Sequence, residues 1–420
     1  MKNVPGAEPP AARDLVRETE LLVSGVLRGG VIVSAVIILA GIVYFYALKL
    51  SGHAVDLSFP HSLGAVFQDA FRGVPLAIVA LGLIVLLATP VLRVAVSIVA
   101  FAVEHDRAYV AITTLVLLIL LFSIIVVGGL LGHGAHARVL HSGLSFFVLI
   151  FVGSLFAGFI GSLVGLGGGV FIVPLLTIAF GVPIQSAIGA SIVSVIATSS
   201  GAAAAYVRDH ITNLRIGMFL EIATTIGAIS GALLATVINS AVLFIVFGIV
   251  LIVSVLPLIA QIGEELPEGV RNDRFSKRLR LAGNYPDQRL GRTVNYEVTG
   301  VPPGFGMMYV AGGISGLLGI GSGTFKVLAM DMAMRLPMKV STTTSNFMIG
   351  VTAAASAGIY FQRGDIDPVI AAPVALGVLV GATVGAITLP KLSNAWVRKV
   401  FIPVIVIVAL EMLLRGLGIF

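Results

Sequence analysis

Cysteine is absent from the 420 residues, tryptophan occurs once, and charge is scarce. Asp, Glu, Lys and Arg together make up 11% of the chain, against roughly 25% in an ordinary soluble domain. The missing cysteine excludes disulfide frameworks, thiolate metal sites and cysteine nucleophiles, and leaves the redox compartment open. The missing charge excludes a soluble protein, whose surface could not be covered. No Asp, Glu, Lys, Arg or His occurs from Leu144 to Val207 or from Ile222 to Gly263. A span needs only about 20 apolar residues, so these stretches imply a polytopic, all-α membrane protein in contact with the lipid bilayer.

Glycine is abundant, 49 residues, and it sits inside the apolar stretches, in membrane helices and their interruptions. The formal net charge is +6, but the basic residues lie in short loops between spans. That is the positive-inside pattern rather than a phosphate-binding face, so nucleic acid is not expected as a partner. Glu8, Asp14, Glu18 and Glu20 precede the first apolar run near Val31. A cleaved signal peptide is therefore not expected.

Three spans open the chain, at about Val31 to Leu48, Val74 to Val103 and Tyr109 to Leu131. The second contains Pro90 followed by Arg93, and a kink is expected at the proline. The remainder is duplicated. Gly165-Leu-Gly167-Gly168-Gly169-Val-Phe171 returns 154 residues later as Gly319-Ile-Gly321-Ser322-Gly323-Thr-Phe325. The same offset pairs Pro183 with Pro337, Ser191 with Ser345, Tyr206 with Tyr360, and Gly227 and Gly231 with Gly381 and Gly385. Such duplication is common in secondary transporters. The expected units are 1–143, a three-span N-terminal domain; 144–260, the first repeat; 261–303, a solvated cytoplasmic linker; and 304–420, the second repeat.

Each repeat opens on an apolar stretch too long for one span and short for two. Leu144 to Gly181 would run roughly 57 Å as a continuous helix. The Gly-rich break divides it into a long arm and a short arm, predicting a hairpin that returns to its starting surface. Three spans follow, at about Ile184 to Val207, Leu214 to Ile238 and Ala241 to Ala260. The second copy predicts segments at Gly304 to Ile320, Thr324 to Arg335, Val340 to Phe361, Val369 to Pro390 and Trp396 to Leu414. With a cytoplasmic N-terminus, this topology puts 19 of the 26 Lys and Arg inside and 5 outside; Arg93 and Lys326 lie within membrane segments. It makes the two repeats inverted relative to each other.

The short arms begin at Gly169 and Gly323 with unpaired N–H groups deep in the membrane. Helix N-termini carry partial positive charge, and inverted symmetry aims both tips at a common midplane region that favours an anion. The alternative is that these glycines only permit tight helix crossing. Small-residue spacings such as Ser154, Gly158 and Ser162, or Gly377, Gly381 and Gly385, are explained by packing alone. A dinucleotide fingerprint would need glycine where Val170 and Thr324 stand, so none is present.

Ser191, and Thr342 to Asn346 in the second copy, could donate hydrogen bonds to a bound oxyanion or bond their own helix carbonyls. Ser191 and Ser345 occupy equivalent positions, whereas Asn346 corresponds to Ile192. Lys326, three residues past Gly323, is the sharpest single residue, because an unpaired buried ammonium is expensive. With Asp331 five residues on and Arg335 nine, internal charge pairing, a functional pair of anion ligand and proton carrier, and snorkelling all remain open. Glu221 is either a second proton carrier or an interfacial partner of Arg215. Glu411 and Arg415 read as a structural i,i+4 pair. Metal binding by His133, His136 and His141 would need three rings of one loop to converge, and no metal or cofactor is expected.

Gly165-Leu-Gly-Gly-Gly169 with Pro174 on the short arm, Ile188-Gly-Ala-Ser191, and their echo at Gly319 to Gly323 and Thr342 to Asn346 resemble the TauE/SafE sulfite exporter family over about Ser145 to Leu417. The N-terminal spans look like a separate prokaryotic membrane domain of unknown function. The resemblance implies export of a small sulfur-containing anion, such as sulfite, sulfoacetate or another organosulfonate, across a prokaryotic plasma membrane. The second copy departs by having Ser322 for the third glycine and Leu328 where Pro174 stands. The expected function is a secondary transporter working by alternating access, with substrate held by Gly165, Gly167, Gly168, Gly169, Ser191, Gly319, Gly321, Ser322, Gly323, Lys326, Ser345 and Asn346. Asp331 and Glu221 are candidates for proton coupling. An uptake carrier or a passive anion channel is the alternative; an intramembrane enzyme is set aside, because no His lies at the depth of the serines. The oligomeric state is not readable.

Overall fold

The computed structural model describes residues 10–53, 62–131, 143–164, 168–208, 211–260, 267, 269–287, 291–388 and 394–419. The N-terminal part contains α1 (Pro10–Leu50), α2 (Leu63–Phe71), α3 (Pro75–Val103) and α4 (Arg107–Phe122), which continues through a π-turn at Ser123–Val127 into α5 (Gly128–Leu131). Pro90 lies inside α3, which runs on beyond it to Val103. Asp106 caps α4, its side chain accepting from the Tyr109 N–H, as an N-terminal carboxylate should.

The long arm of the first copy is α6 (Leu144–Val164), and the short arm is α7 (Gly169–Pro174) followed by a π-turn at Leu175–Ala179. Then come α8 (Ile184–Arg208), α9 (Leu214–Val237) and α10 (Ser240–Ala260). After α11 (Arg274–Arg278) and a hairpin of β1 (Gly283–Asp287) and β2 (Arg292–Tyr296), the plan returns as α12 (Val301–Leu318) and α13 (Gly323–Leu328), with a π-turn at Ala329–Ala333. It ends with α14 (Met338–Gln362), α15 (Pro368–Thr388) and α16 (Asn394–Gly416). Shifting α7, its π-turn and α8 by 154 residues reproduces the bounds of α13, its π-turn and α14 residue for residue. Both short arms stop where the helix widens into a π-turn.

Among the described residues seven helices are long and apolar enough to cross a membrane: Arg28–Leu50, Pro75–Val103, Arg107–Leu130, Leu144–Ser162, Leu214–Val237, Val301–Leu318 and Pro368–Gly385. Their burial is inside out. On α1, Ile32, Val36, Leu39 and Val43 are exposed along one helical stripe, the 3.6-residue period of an apolar lipid-facing side. Arg93, Glu221 and Lys326 are buried instead.

Packing crosses between the copies. α6 lies along α15 and α12 along α9, while α8 crosses α14 and α10 runs beside α16. The N-terminal helices join the same body, α1 and α3 against α8, and α4 against α9. At the α9–α12 crossing, a Cβ on Gly316 would collide with the Ala228 carbonyl oxygen and one on Gly231 with that of Gly313. At α6–α15, a Cβ on Gly381 would strike the Leu155 carbonyl. Glycine there lets helix backbones touch.

The polar connector is folded where described. β1 and β2 pair antiparallel from Gly283↔Tyr296 to Asp287↔Arg292, and Leu281, Tyr285 and Val298 are buried. The Tyr109 hydroxyl donates to the Leu279 carbonyl at 2.7 Å, the Asn213 amide donates to the Leu281 carbonyl at 3.0 Å, and Lys339 meets Asp287 at 2.8 Å. The segment expected as a solvated linker therefore caps the ends of α4, α9 and α14. Its many charges conceal the apolar residues that seat it.

Two ends of the molecule follow from these contacts. At the other ends of α4 and α14, the Gln362 amide donates to the Ile124 carbonyl at 2.8 Å. The Arg415 guanidinium donates to the Thr177 carbonyl at 3.2 Å, and its Nη2 lies 3.6 Å from Glu411.

Candidate functional site

The two glycine-rich breaks meet in the interior. Ser191, on α8, donates its hydroxyl to the carbonyl of Gly169 at 3.1 Å and to that of Gly319 at 2.8 Å. One hydroxyl thus faces the first residue of α7 and the residue that ends α12. A Cβ on Gly169 would stand 3.0 Å from the Gly319 oxygen and 2.9 Å from the Ser191 oxygen. Ser345, 154 residues on, donates to the Gly323 carbonyl at 3.2 Å, reproducing half of that arrangement. In this conformation both serines hold the tips by bonding carbonyls of other elements, not those of their own helices as the backbone-bonding alternative expected.

The tips differ in backbone. Gly319 and Gly321 take φ of +68° and +72°, and Ser322, replacing the third glycine, takes φ of +47°. Its counterpart Gly168 is right-handed, at φ −57°. A left-handed conformation costs a non-glycine residue roughly 1–2 kcal/mol, so the substituted position is the strained one. The Ser322 hydroxyl is buried and has no hydrogen-bond partner, the kind of donor that a ligand can satisfy. Gly165 and Gly167 lie outside the described residues, as do His133, His136 and His141.

Lys326 projects from α13 into the body and is fully buried. Its ammonium donates to the Thr352 hydroxyl at 2.5 Å, and that hydroxyl donates to Glu221 Oε1 at 2.7 Å. Lys326 is thereby joined to Glu221 on α9, not to Asp331 on its own arm. Arg215, weighed as the partner of Glu221, instead meets Glu104 at 3.1 Å and Asp106 at 3.4 Å. Asp331 is half-buried in the π-turn after α13, and Asn346 half-buried on α14.

Two further residues belong here. Arg93, from α3, is fully buried and donates to the Phe347 carbonyl at 2.5 Å. A lone arginine in an apolar span was a usable signal, because such a residue must face the interior. Thr352 carried no signal, being one hydroxyl among many on α14. Two buried cations, Arg93 and Lys326, and one buried carboxylate, Glu221, therefore lie in the interior of the body.

The family model described as sulfite exporter TauE/SafE matches residues 149–412, and the one described as protein of unknown function (DUF1634) matches residues 23–125. The chain is 27% identical over 281 residues to a probable membrane transporter protein, YunE, of Bacillus subtilis, covering 65% of this chain and 99% of the relative. It is 27% identical to another, YdhB, of the same organism, covering 57% and 89%, and 25% identical to a probable membrane transporter protein, ORF9, of Sinorhizobium, covering 64% and 91%. No solved structure matches. With the family model spanning more than half its length, the chain belongs to the sulfite exporter TauE/SafE family and is a multi-pass membrane transporter.

Proposed function

We propose that the protein is a secondary transporter that exports a small sulfur-containing oxyanion, sulfite or an organosulfonate, by alternating access across a prokaryotic plasma membrane. The observation that carries this reading is the Ser191 hydroxyl set between the Gly169 and Gly319 carbonyls. It brings the two broken helices to one point in the interior, the arrangement that inverted-repeat carriers use for substrate. Ser322, with its partnerless hydroxyl, and Lys326 supply donors on the second-copy side. The sulfur chemistry comes from the family.

The inverted arrangement is supported by where the short arms end. Thr177, after α7, accepts from Arg415. Met334, after α13, accepts from the Thr299 N–H beside the capping hairpin. The charge count assigns Arg415 outside and the hairpin inside, so the hairpin arms enter from opposite surfaces. The same count favours a cytoplasmic N-terminus, while the four units 1–143, 144–260, 261–303 and 304–420 follow from the repeat offset and the polar stretch between the copies.

Export of an anion from an inside-negative cell gains about 2.3 kcal/mol per charge per 100 mV. Coupling to protons through Glu221, which shares a hydroxyl with Lys326, or through Asp331 is part of the proposal. Counterflow in proteoliposomes tests it: labelled sulfite should exchange saturably with unlabelled sulfite or sulfonate. Exchange of carboxylates alone would remove the sulfur substrate, and flux without saturation would mark a channel.

A further inference from the structure

Arg93 lies in the part of the chain matched by the model of unknown function, outside the exporter match. Its side chain nevertheless ends among the exporter helices. Nη1 donates to the Phe347 carbonyl, and the guanidinium carbon lies 5.1 Å from the centre of the Phe347 ring. A Cβ on Gly350 would stand 3.7 Å from Nη1 and 2.5 Å from the Ser199 hydroxyl oxygen. Arg93 thus reaches the α8–α14 crossing. One turn earlier on α8, Val195 packs beside Gly321 of the second glycine break.

Nε and Nη2 of Arg93 are buried and have no hydrogen-bond partner. Together they form the edge of the guanidinium fork that pairs bidentately with two oxygens of one oxyanion. Arginine does not escape by deprotonation, and buried N–H groups without acceptors are costly. Lys326 and Glu221 are tied through Thr352, which lies little more than one turn along α14 from Phe347, whose carbonyl Arg93 meets. Two positive charges therefore stand against one negative charge, all three side chains being buried.

We propose that Arg93 is a substrate ligand of this transporter: its Nε–Nη2 edge binds a monovalent oxyanion, whose single charge neutralises the net charge of the Arg93, Lys326 and Glu221 cluster. The N-terminal helices then complete the binding centre of the exporter region, and the preferred substrate is a monosulfonate rather than a dianion such as sulfate or sulfoacetate. This rests on the reading of the chain as a small-anion carrier.

The test uses the purified full chain in nanodiscs, with methanesulfonate as the monovalent probe and sulfate and sulfoacetate as divalent ones. Binding is read by titration calorimetry and by ligand-induced shifts in melting temperature. Wild type should bind methanesulfonate more tightly than either dianion. Arg93→Gln should weaken methanesulfonate at least about tenfold, the loss of one charge-assisted contact. Arg93→Lys keeps the charge but not the fork, and should fall between; it decides the matter if Arg93→Gln does not fold. Glu221→Gln, which leaves two positive charges, should shift preference toward the dianions. Wild-type methanesulfonate affinity in both Arg93 variants would overturn the assignment and leave the carrier reading standing, and a wild type that prefers sulfate would overturn the charge argument. Binding of none of the probes by wild type would overturn the anion-carrier reading and the assignment with it.

Discussion

Lys326 and Glu221 meet through a single oxygen atom, the Thr352 hydroxyl, which accepts from the ammonium at 2.5 Å and donates to the carboxylate at 2.7 Å. The three side chains come from α13, α14 and α9, so one relay ties the short arm of the second copy to helices of both copies. Removing one member of a buried charge pair costs about 3–5 kcal/mol, because the other is left uncompensated. Lys326→Met should therefore lower the melting temperature sharply, and adding Glu221→Gln should restore part of the loss. A double variant as unstable as the sum of the single ones would mean that the two charges do not interact.

Ser322 offers a way to separate stability from transport. Its left-handed backbone, at φ +47°, costs a residue with a Cβ roughly 1–2 kcal/mol. Ser322→Gly should raise the melting temperature while it slows counterflow, because the partnerless hydroxyl is lost. Full counterflow in this variant would remove Ser322 from the substrate site.

Ser191 and Ser345 are equivalent by sequence but not by bonding. Ser191 faces two carbonyls, one in each break, and Ser345 faces one. The single Ser191 proton is shared between its two carbonyls, but its 2.8 Å approach to Gly319 is closer than the 3.2 Å contact of Ser345. Ser191→Ala should therefore destabilise more than Ser345→Ala in thermal unfolding, by up to about 1 kcal/mol. Equal losses would argue that the contact across the copies carries no weight.

The α9–α12 crossing leaves no room for a side chain. Gly316→Ala would drive a methyl group into the Ala228 carbonyl, and overpacking of this kind costs about 1–3 kcal/mol. Folded yield by fluorescence size-exclusion should drop for Gly316→Ala but not for Gly306→Ala, where a Cβ meets nothing within 4 Å.

Acid should stabilise the loop between α14 and α15. Burial pushes Asp365 up to about 6 despite the Arg363 guanidinium 3.1 Å away. Burial likewise pushes Asp367 up to about 6, against the N–H groups of Val369 and Ile370. A carboxyl with a raised folded-state value holds its proton more tightly when folded. Its contribution is greatest below the unfolded value of about 4 and is lost as pH rises to about 6. The melting temperature should therefore decline over that window, and the Asp365→Asn, Asp367→Asn double variant should flatten the decline. An unchanged slope would assign it to other groups.

Much of the architecture was legible because its causes are local. Apolar run length marked the spans, and a recurring offset between glycine motifs marked the duplication. The structure starts the short arms and the helices after them within about two residues of the sequence expectation, and ends the short-arm α-helices earlier, at the π-turns. The folded hairpin between the copies was not legible: Leu281, Tyr285 and Val298 are spaced too irregularly among charges to announce a docking face. Nor were the partners of Lys326 and Glu221, which lie 26 and 131 residues from Thr352.

Composition and repetition alone determined that this chain is a duplicated membrane protein with broken helices, because the cost of charge and of unpaired backbone in lipid acts on each segment separately. Only the tertiary structure decided which charges face one another. That depends on α9, α13, α14 and α3 meeting in space, which brings Arg93 from outside the duplicated region to the same buried cluster.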